Sequence, residues 1–323
     1  MTDKNRLKLV ITRPFPETAR EHFRDFEGIT VCCGDDLTDA DIILGQPDAV
    51  TVKNCKKLKW LQITSAGVDG YVKFPEIFQG IHLTTVSGAF GQSIAEWTLA
   101  MALSLYKRLP LFRDNQNARI WRDEGRQFSP ENKRVLVLGC GDLGSSIAEM
   151  FQRFHCRVAG IRRHASLQKP ESFDEVYPLA ALDAQLPLAD IVVGALPQTP
   201  ETVNMMDARR LALLQEEAIL INVGRGSLID LAALAERLQS GSLYGAAIDV
   251  TAPEPLPQEH PLWRTPNCIL TPHASGGSFG HLRATEERIY DICRENLKRY
   301  LSGDALLNEV DFATGYRSTE NRF

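Results

Sequence analysis

Three segments carry side chains able to move a proton or grip an anion, and each closes an apolar run. They are NVGRGSLID (222–230), AIDVTAPEPLPQEHPLW (247–263) and LTPHASGG (270–277). They set Arg225, Glu254 and His273 just beyond three expected strands, and open α/β sheets bind ligands outside the carboxyl ends of their strands. The three side chains have separable tasks in reducing a 2-keto acid. Arginine is permanently charged, and its fork takes a carboxylate or polarises a keto oxygen. Histidine gives a proton to a developing alkoxide and recovers it in the reverse direction. A carboxylate beside the imidazole favours the protonated ring and fixes its orientation. Singly, each has an ordinary reading: a solvated arginine in a GRG turn, a surface glutamate among prolines, a structural histidine. Their joint occurrence downstream of a phosphate-type loop carries the chemistry.

That loop lies in LVLGCGDLGSSIAEMF (136–151), where Gly139, Gly141 and Gly144 follow the GxGxxG spacing between an apolar strand and a helix. Gly139 allows a tight turn, Gly141 lets a pyrophosphate approach the backbone, and Gly144 lets the helix pack on its strand with its N-terminus toward the phosphates. The next strand, 157–161, runs into Arg162-Arg163-His164, and Arg162 stands 18 residues after Gly144. NAD-binding proteins place an acid near this point for the ribose 2′-hydroxyl. Here guanidinium forks, suited to a 2′-phosphate, take its place. The expected cofactor is therefore NADP(H), with NAD(H) the alternative. Cys140, inside the loop, reads as a small filler.

The elements that must position these groups follow from periodicity. A chain of 323 residues exceeds what one hydrophobic core usually supports, so two domains are expected. The first part alternates strands at 7–12, 29–33, 41–45, 60–64 and 81–86 with an amphipathic stretch at 16–26. SIAEWTLAMALSLYKRL (93–109) is apolar on most faces, as a buried helix would be, and 110–133 is polar. Strands at 190–196, 218–224, 244–250 and 268–272, with helices around 201–215 and 230–240, complete six alternations and predict a parallel, doubly wound sheet. An amphipathic helix over 282–301 ends at Gly303, and the short tail after it is expected to pack back on the first domain. The expected fold is thus α/β. A doubly wound parallel-sheet dinucleotide-binding domain (103–283) is inserted into a smaller flavodoxin-like α/β substrate domain (1–102 and 284–323).

Bulk charge narrows the partners. A net charge of −5 and a pI near 5.9, without a basic tract, leave no electrostatic footprint for nucleic acid. The segment MTDKNRLKLVITRP lacks the apolar run of a signal peptide, and the most apolar helix is short and carries Glu96, Lys107 and Arg108, so no membrane partner is expected. Seven cysteines without a CxxC pattern suggest reduced thiols and a cytoplasmic location. No His/Cys/Asp cluster has metal-ligand spacing.

Taken together, the glycine loop and the segments NVGRG, DVTAPEPLP and TPHASGG resemble the D-2-hydroxyacid dehydrogenases, a family that includes glyoxylate/hydroxypyruvate reductases and phosphoglycerate dehydrogenases. The motifs fall in family order over nearly the whole chain. The resemblance implies that Arg225, Glu254 and His273 are catalytic, with His273 the acid/base and with Arg225 and His273 touching substrate. It implies that ITSAGVD (63–69) holds the substrate carboxylate through backbone N–H groups near Ala66, Gly67 and Val68. It places Asp142, Leu143, Leu196 and Pro197 on the cofactor and Val223, Asp249 and Gly276 near the nicotinamide and its ribose. Family members are mostly homodimers joined through the nucleotide domains. Two departures are informative. Arg162 stands where NAD-dependent members carry Asp, and the histidine partner is Glu254 rather than the Gln of the formate dehydrogenase branch. Residues 63–71 include no Lys or Arg, so a phosphorylated substrate is not expected. The leading expectation is an NADP(H)-dependent reductase of a small 2-keto acid such as glyoxylate or hydroxypyruvate. The alternatives are a reductase of a bulkier 2-keto acid and a non-catalytic NAD(P)-sensing protein of the corepressor kind.

Overall fold

A computed structural model of the chain describes residues 6–163 and 168–317. The chain divides into two compact units, Met1–Ala89 with Gly277–Phe323, and Phe90–Gly276. In the first unit, short, largely apolar runs form Leu7–Ile11 (β1), Ile29–Cys33 (β2), Ile42–Leu44 (β3), Trp60–Gln62 (β4) and His82–Thr84 (β5). They pair in parallel in the order β2-β1-β3-β4-β5, with Leu9 opposite Val31 and Ile42 and Leu61 opposite Leu83. This is the 2-1-3-4-5 order of flavodoxin-like sheets. All three residues of β3 are fully buried, as expected for a parallel strand covered on both faces. The helix Arg283–Ser302 returns to this unit, capped by Gly303 at φ +75°. Its Asn296 is 0% exposed. The side-chain amide donates to Gln62 Oε1 (2.8 Å) and to Leu307 O (3.0 Å) and accepts from Leu307 N–H (2.7 Å). The segment after the helix is thereby tied to the end of β4, as the sequence leads one to expect. The stretch 16–26 forms a 3₁₀ turn, Glu17–Phe23, entered at Pro16 and burying Ala19 and Phe23.

The second unit holds Arg134–Leu138 (β6), Arg157–Arg162 (β7), Glu175–Pro178 (β8), Ile191–Gly194 (β9), Ile219–Asn222 (β10), Gly245–Ile248 (β11) and Cys268–Leu270 (β12). The parallel order is β12-β11-β10-β9-β6-β7-β8, the doubly wound order 3-2-1-4-5-6 extended by one strand. The winding reverses between β6 and β9, and the glycine loop leaves the sheet there. Alternate side chains feed two cores. Leu136, Leu138, Val192 and Leu220 pack on one face, and Val135, Val137, Val193 and Ile221 on the other.

Three local features differ from the sequence expectation. The strand β8 was not foreseen: it is an edge strand, EVYP, exposed at both ends and without an apolar pattern. The stretch 110–133 contains the helix Leu109–Ala118, bounded by left-handed Arg108 and Arg119, whose polar composition conceals it. The helix expected over 201–215 shrinks to Ala208–Leu211, where Asp207 caps it by accepting from Arg210 N–H (2.8 Å). The divisions between the units fall at 89/90 and 276/277, so the helix Gly91–Tyr106 lies wholly in the second unit, packed on the helix Asp142–Gln152. No helix among the described residues is long and apolar enough to cross a membrane.

Candidate active site

The glycine loop has the shape its spacing predicts. Gly139 sits at φ +112°, and its N–H donates to Ile161 O (2.9 Å). A Cβ on Gly144 would collide with the carbonyl of Gly139, so only glycine lets the helix Asp142–Gln152 start this close to its strand. Around Gly141 a Cβ would meet no atom within 4 Å. Gly141 is also the N-cap of that helix and supplies no side-chain acceptor for its first N–H groups. An uncapped helix N-terminus facing open space fits a pyrophosphate, which would satisfy those donors. Asp142 and Leu143 are the first two helical residues and are half-buried. Leu196 and Pro197 follow β9, and the neighbouring Ala195 O lies 2.6 Å from where a Gly139 Cβ would sit, so the two loops meet at the switch point.

Beyond β7, Arg162 Nη1 donates to Gln168 O (3.1 Å), and Arg163 Nη2 lies 3.4 Å from Glu201 Oε2. His164 lies outside the described residues. Burial pushes the Cys140 thiol up to about 11, which suits a packing residue and not a nucleophile.

The three chemical residues follow adjacent strands. Arg225 comes after β10, Glu254 after β11 and His273 after β12. His273 Nδ1 lies 3.1 Å from Glu254 Oε2, and the other carboxylate oxygen, Oε1, accepts from Thr251 N–H (3.1 Å). A carboxylate at Nδ1 places a proton there and leaves Nε2 for a substrate oxygen. The Arg225 turn is built by Asn222, which is fully buried: its side-chain N–H donates to Arg225 O (3.0 Å) and its Oδ1 accepts from Gly224 N–H (3.2 Å). Arg225 Nη1 donates to Gly224 O (2.9 Å). Gly226 packs so tightly on Thr251 that a Cβ would overlap its backbone. The Arg225 turn thus abuts the residue that anchors Glu254.

His273 itself has φ +54°, a left-handed conformation that costs a non-glycine residue about 1–3 kcal/mol. Asp249, 1% exposed, holds it there. The Asp249 carbonyl accepts from His273 N–H (2.8 Å). Its Oδ1 accepts from Thr271 Oγ1 (2.5 Å) and Ala274 N–H (2.8 Å), and its Oδ2 from Ser275 N–H (3.1 Å) and Ser275 Oγ (2.5 Å). Ser93 Oγ donates to Ser275 O (2.9 Å) and ties the turn to the helix Gly91–Tyr106. The side chain of Asp249 thus braces the turn that presents His273. Val223 is buried, with its N–H on Gly194 O (3.0 Å), and Gly276 packs beside Phe90.

In the other unit, the loop after β4 carries Ala66, Gly67 and Val68. Among the described residues their N–H groups donate to no protein acceptor. Gln46 braces the loop: its Oε1 accepts from Thr64 N–H and Thr64 Oγ1 (both 3.1 Å), and its Nε2 donates to Ser65 Oγ (3.1 Å), which donates to Gly67 O (2.8 Å). Asn222 and Gln46 were not singled out from sequence. Their only signal was a polar residue at the end of a short apolar strand, Asn222 closing β10 and Gln46 two residues past β3. No group of three or more His, Cys, Asp or Glu suited to a metal ion occurs among the described residues.

Comparison with known proteins agrees with this geometry. Residues 99–275 match the family model for the NAD binding domain of D-isomer specific 2-hydroxyacid dehydrogenases. A solved D-isomer specific 2-hydroxyacid dehydrogenase family protein from Aeromonas salmonicida is 31% identical, with a TM-score of 0.81 over 95% of this chain and 99% of the other. One from Xanthobacter autotrophicus, in complex with NADPH and MES, is 29% identical with a TM-score of 0.81, covering 96% of this chain and 100% of that one. The NADPH-dependent glyoxylate/hydroxypyruvate reductase of Sinorhizobium meliloti, in complex with NADP and sulfate, is 26% identical with a TM-score of 0.81, over 96% of this chain and 100% of that one. The chain belongs to the D-isomer specific 2-hydroxyacid dehydrogenase family.

Proposed function

We propose that this protein is an NADP(H)-dependent reductase of small 2-keto acids, with glyoxylate and hydroxypyruvate the leading substrates and the D-isomer the product where C2 is a stereocentre. The observation that carries the reading is the His273–Glu254 contact of 3.1 Å beside the Arg225 turn, at the strand ends of a sheet that carries the glycine loop. The NADPH- and NADP-bound relatives support it, as does the Arg162-Arg163 pair in place of an acid.

When bound, NADPH would supply a hydride for the keto carbon. His273 gives the proton on Nε2 to the former keto oxygen, and Glu254 holds the ring through Nδ1. Arg225 polarises the keto oxygen and pairs with the substrate carboxylate. In the first unit, the loop of Ala66, Gly67 and Val68 is read as a carboxylate holder that acts through its N–H groups. Gly139, Gly141, Asp142, Leu143 and Gly144 would hold the pyrophosphate, Leu196 and Pro197 would contact the dinucleotide, and Val223, Asp249 and Gly276 would lie near the nicotinamide and its ribose.

We place the protein in the cytoplasm, consistent with seven free cysteines, and read it as a homodimer. Support for the dimer comes from Leu109, Ile120 and Trp121, large apolar side chains exposed within a thirteen-residue stretch of the nucleotide unit. The test is oxidation of NADPH and of NADH against a panel of 2-keto acids of increasing size. Turnover of glyoxylate or hydroxypyruvate with NADPH supports the reading. Silence across the panel favours a cofactor-sensing protein.

A further inference from the structure

We propose that Glu201 sets the affinity for a 2′-phosphorylated adenosine by holding Arg163 until the phosphate displaces it. The inference rests on the NADP(H) reading above. Arg163 follows β7 and Glu201 lies in the segment after β9. These strands lie on either side of β6, so their 3.4 Å ion pair bridges the two segments that flank the exit of the glycine loop.

The carboxylate is fixed in place. Thr199 Oγ1 donates to the same Oε2 (2.7 Å), Thr199 N–H donates to Thr202 Oγ1 (2.8 Å), and Thr202 Oγ1 donates to Pro197 O (2.8 Å). The turn 197–202 is thus knitted together, with Glu201 aimed at Arg163. The Thr199 hydroxyl is the main cause that holds the Glu201 carboxyl below the usual range, so it is an anion at neutral pH. Arg162 makes a different contact, with the neutral carbonyl of Gln168.

A 2′-phosphate dianion would find one guanidinium on a carbonyl and the other on a carboxylate. It must replace Glu201 on Arg163 and then sit near a like charge. A ribose 2′-hydroxyl carries no charge and meets no such opposition. Glu201 therefore opposes the preference that Arg162 and Arg163 create, and narrows the gap between the two cofactors. Both partners are 59% exposed, and a pair of this kind is worth at most about fivefold in binding.

The experiment is calorimetric titration of the full chain at low salt with adenosine 2′,5′-bisphosphate and with 5′-AMP, which differ only in the 2′-phosphate. Wild type should prefer the bisphosphate. Glu201→Gln should tighten the bisphosphate about three- to fivefold and leave 5′-AMP unchanged. In an Arg163→Gln background the same change should have a clearly smaller effect, because the pair is already gone and only the like charge is removed. If wild type prefers the bisphosphate and Glu201→Gln leaves its affinity unchanged or lowers it, the role of Glu201 is refuted and the NADP(H) reading stands. If wild type does not distinguish the two probes, the NADP(H) reading fails, and the inference with it.

Discussion

Replacing Asp249 by Asn is the sharpest structural perturbation available. The buried carboxylate accepts four hydrogen bonds from three residues of the turn that presents His273. Asn keeps one acceptor oxygen and turns the other into a donor. If it keeps Oδ1, its amide faces Ser275 N–H and Ser275 Oγ; the hydroxyl can rotate to accept, but the N–H cannot. One backbone donor is left buried without a partner, and two charge-assisted bonds become a single neutral one. Bonds to a charged acceptor are worth about 1.5–3 kcal/mol and a buried unmet donor costs about 1–3 kcal/mol, so a loss of about 3 kcal/mol is expected at this turn. The left-handed conformation of His273 adds about 1–3 kcal/mol that the turn must continue to offset. The turn should relax, withdrawing the imidazole from Glu254, and a displacement of about 1 Å in a catalytic group can cost on the order of a hundredfold in rate. The assay pairs kcat for keto-acid reduction with NADPH affinity measured by fluorescence. Asp249→Asn should lower kcat about a hundredfold and leave the NADPH affinity within a few fold. Unchanged kcat with strongly weakened NADPH would refute the argument and make the Asp249 side chain a cofactor contact instead.

Further expectations are narrower. Arg225→Lys should lower kcat/KM nearly as far as Arg225→Ala, because an ammonium cannot reproduce a bidentate fork; recovery of most activity by Lys would reduce Arg225 to a counter-charge. Gly226→Ala should unfold at lower denaturant and lose activity, since its methyl overlaps the Thr251 backbone that anchors Glu254; a wild-type unfolding midpoint would show that the contact is not needed. Arg162→Asp should weaken NADPH at least tenfold and improve NADH, by removing an attraction and adding repulsion to the 2′-phosphate. Comparing kcat/KM for both cofactors in wild type and variant checks this, and an unmoved ratio counts against the arginine's role.

What could be read from the sequence was local. The glycine loop and the triad segments were legible because each couples an apolar strand to a short, chemically distinctive turn. The two sheets followed from apolar runs, although most strands are shorter than those runs. The strand β8 was invisible because a half-exposed edge needs no apolar pattern. The helix Leu109–Ala118 was invisible because its large apolar residues are confined to its first turn and the rest is mostly polar. The supporting roles were hidden for a different reason. Asp249, Asn222 and Gln46 act by meeting donors and acceptors from segments up to 26 residues away, and periodicity says nothing about which backbone groups a turn leaves open. The Arg163–Glu201 pair joins residues 38 apart in sequence and exists only because β7 and β9 flank β6.

The most direct test of the central claim is pre-steady-state reduction of glyoxylate and hydroxypyruvate by wild type and by His273→Ala, each preloaded with NADPH. The account predicts rapid NADPH oxidation by wild type. It predicts a rate lower by about two to four orders of magnitude in the variant, with NADPH affinity unchanged. Wild-type rates in His273→Ala would contradict the assignment of the proton donor.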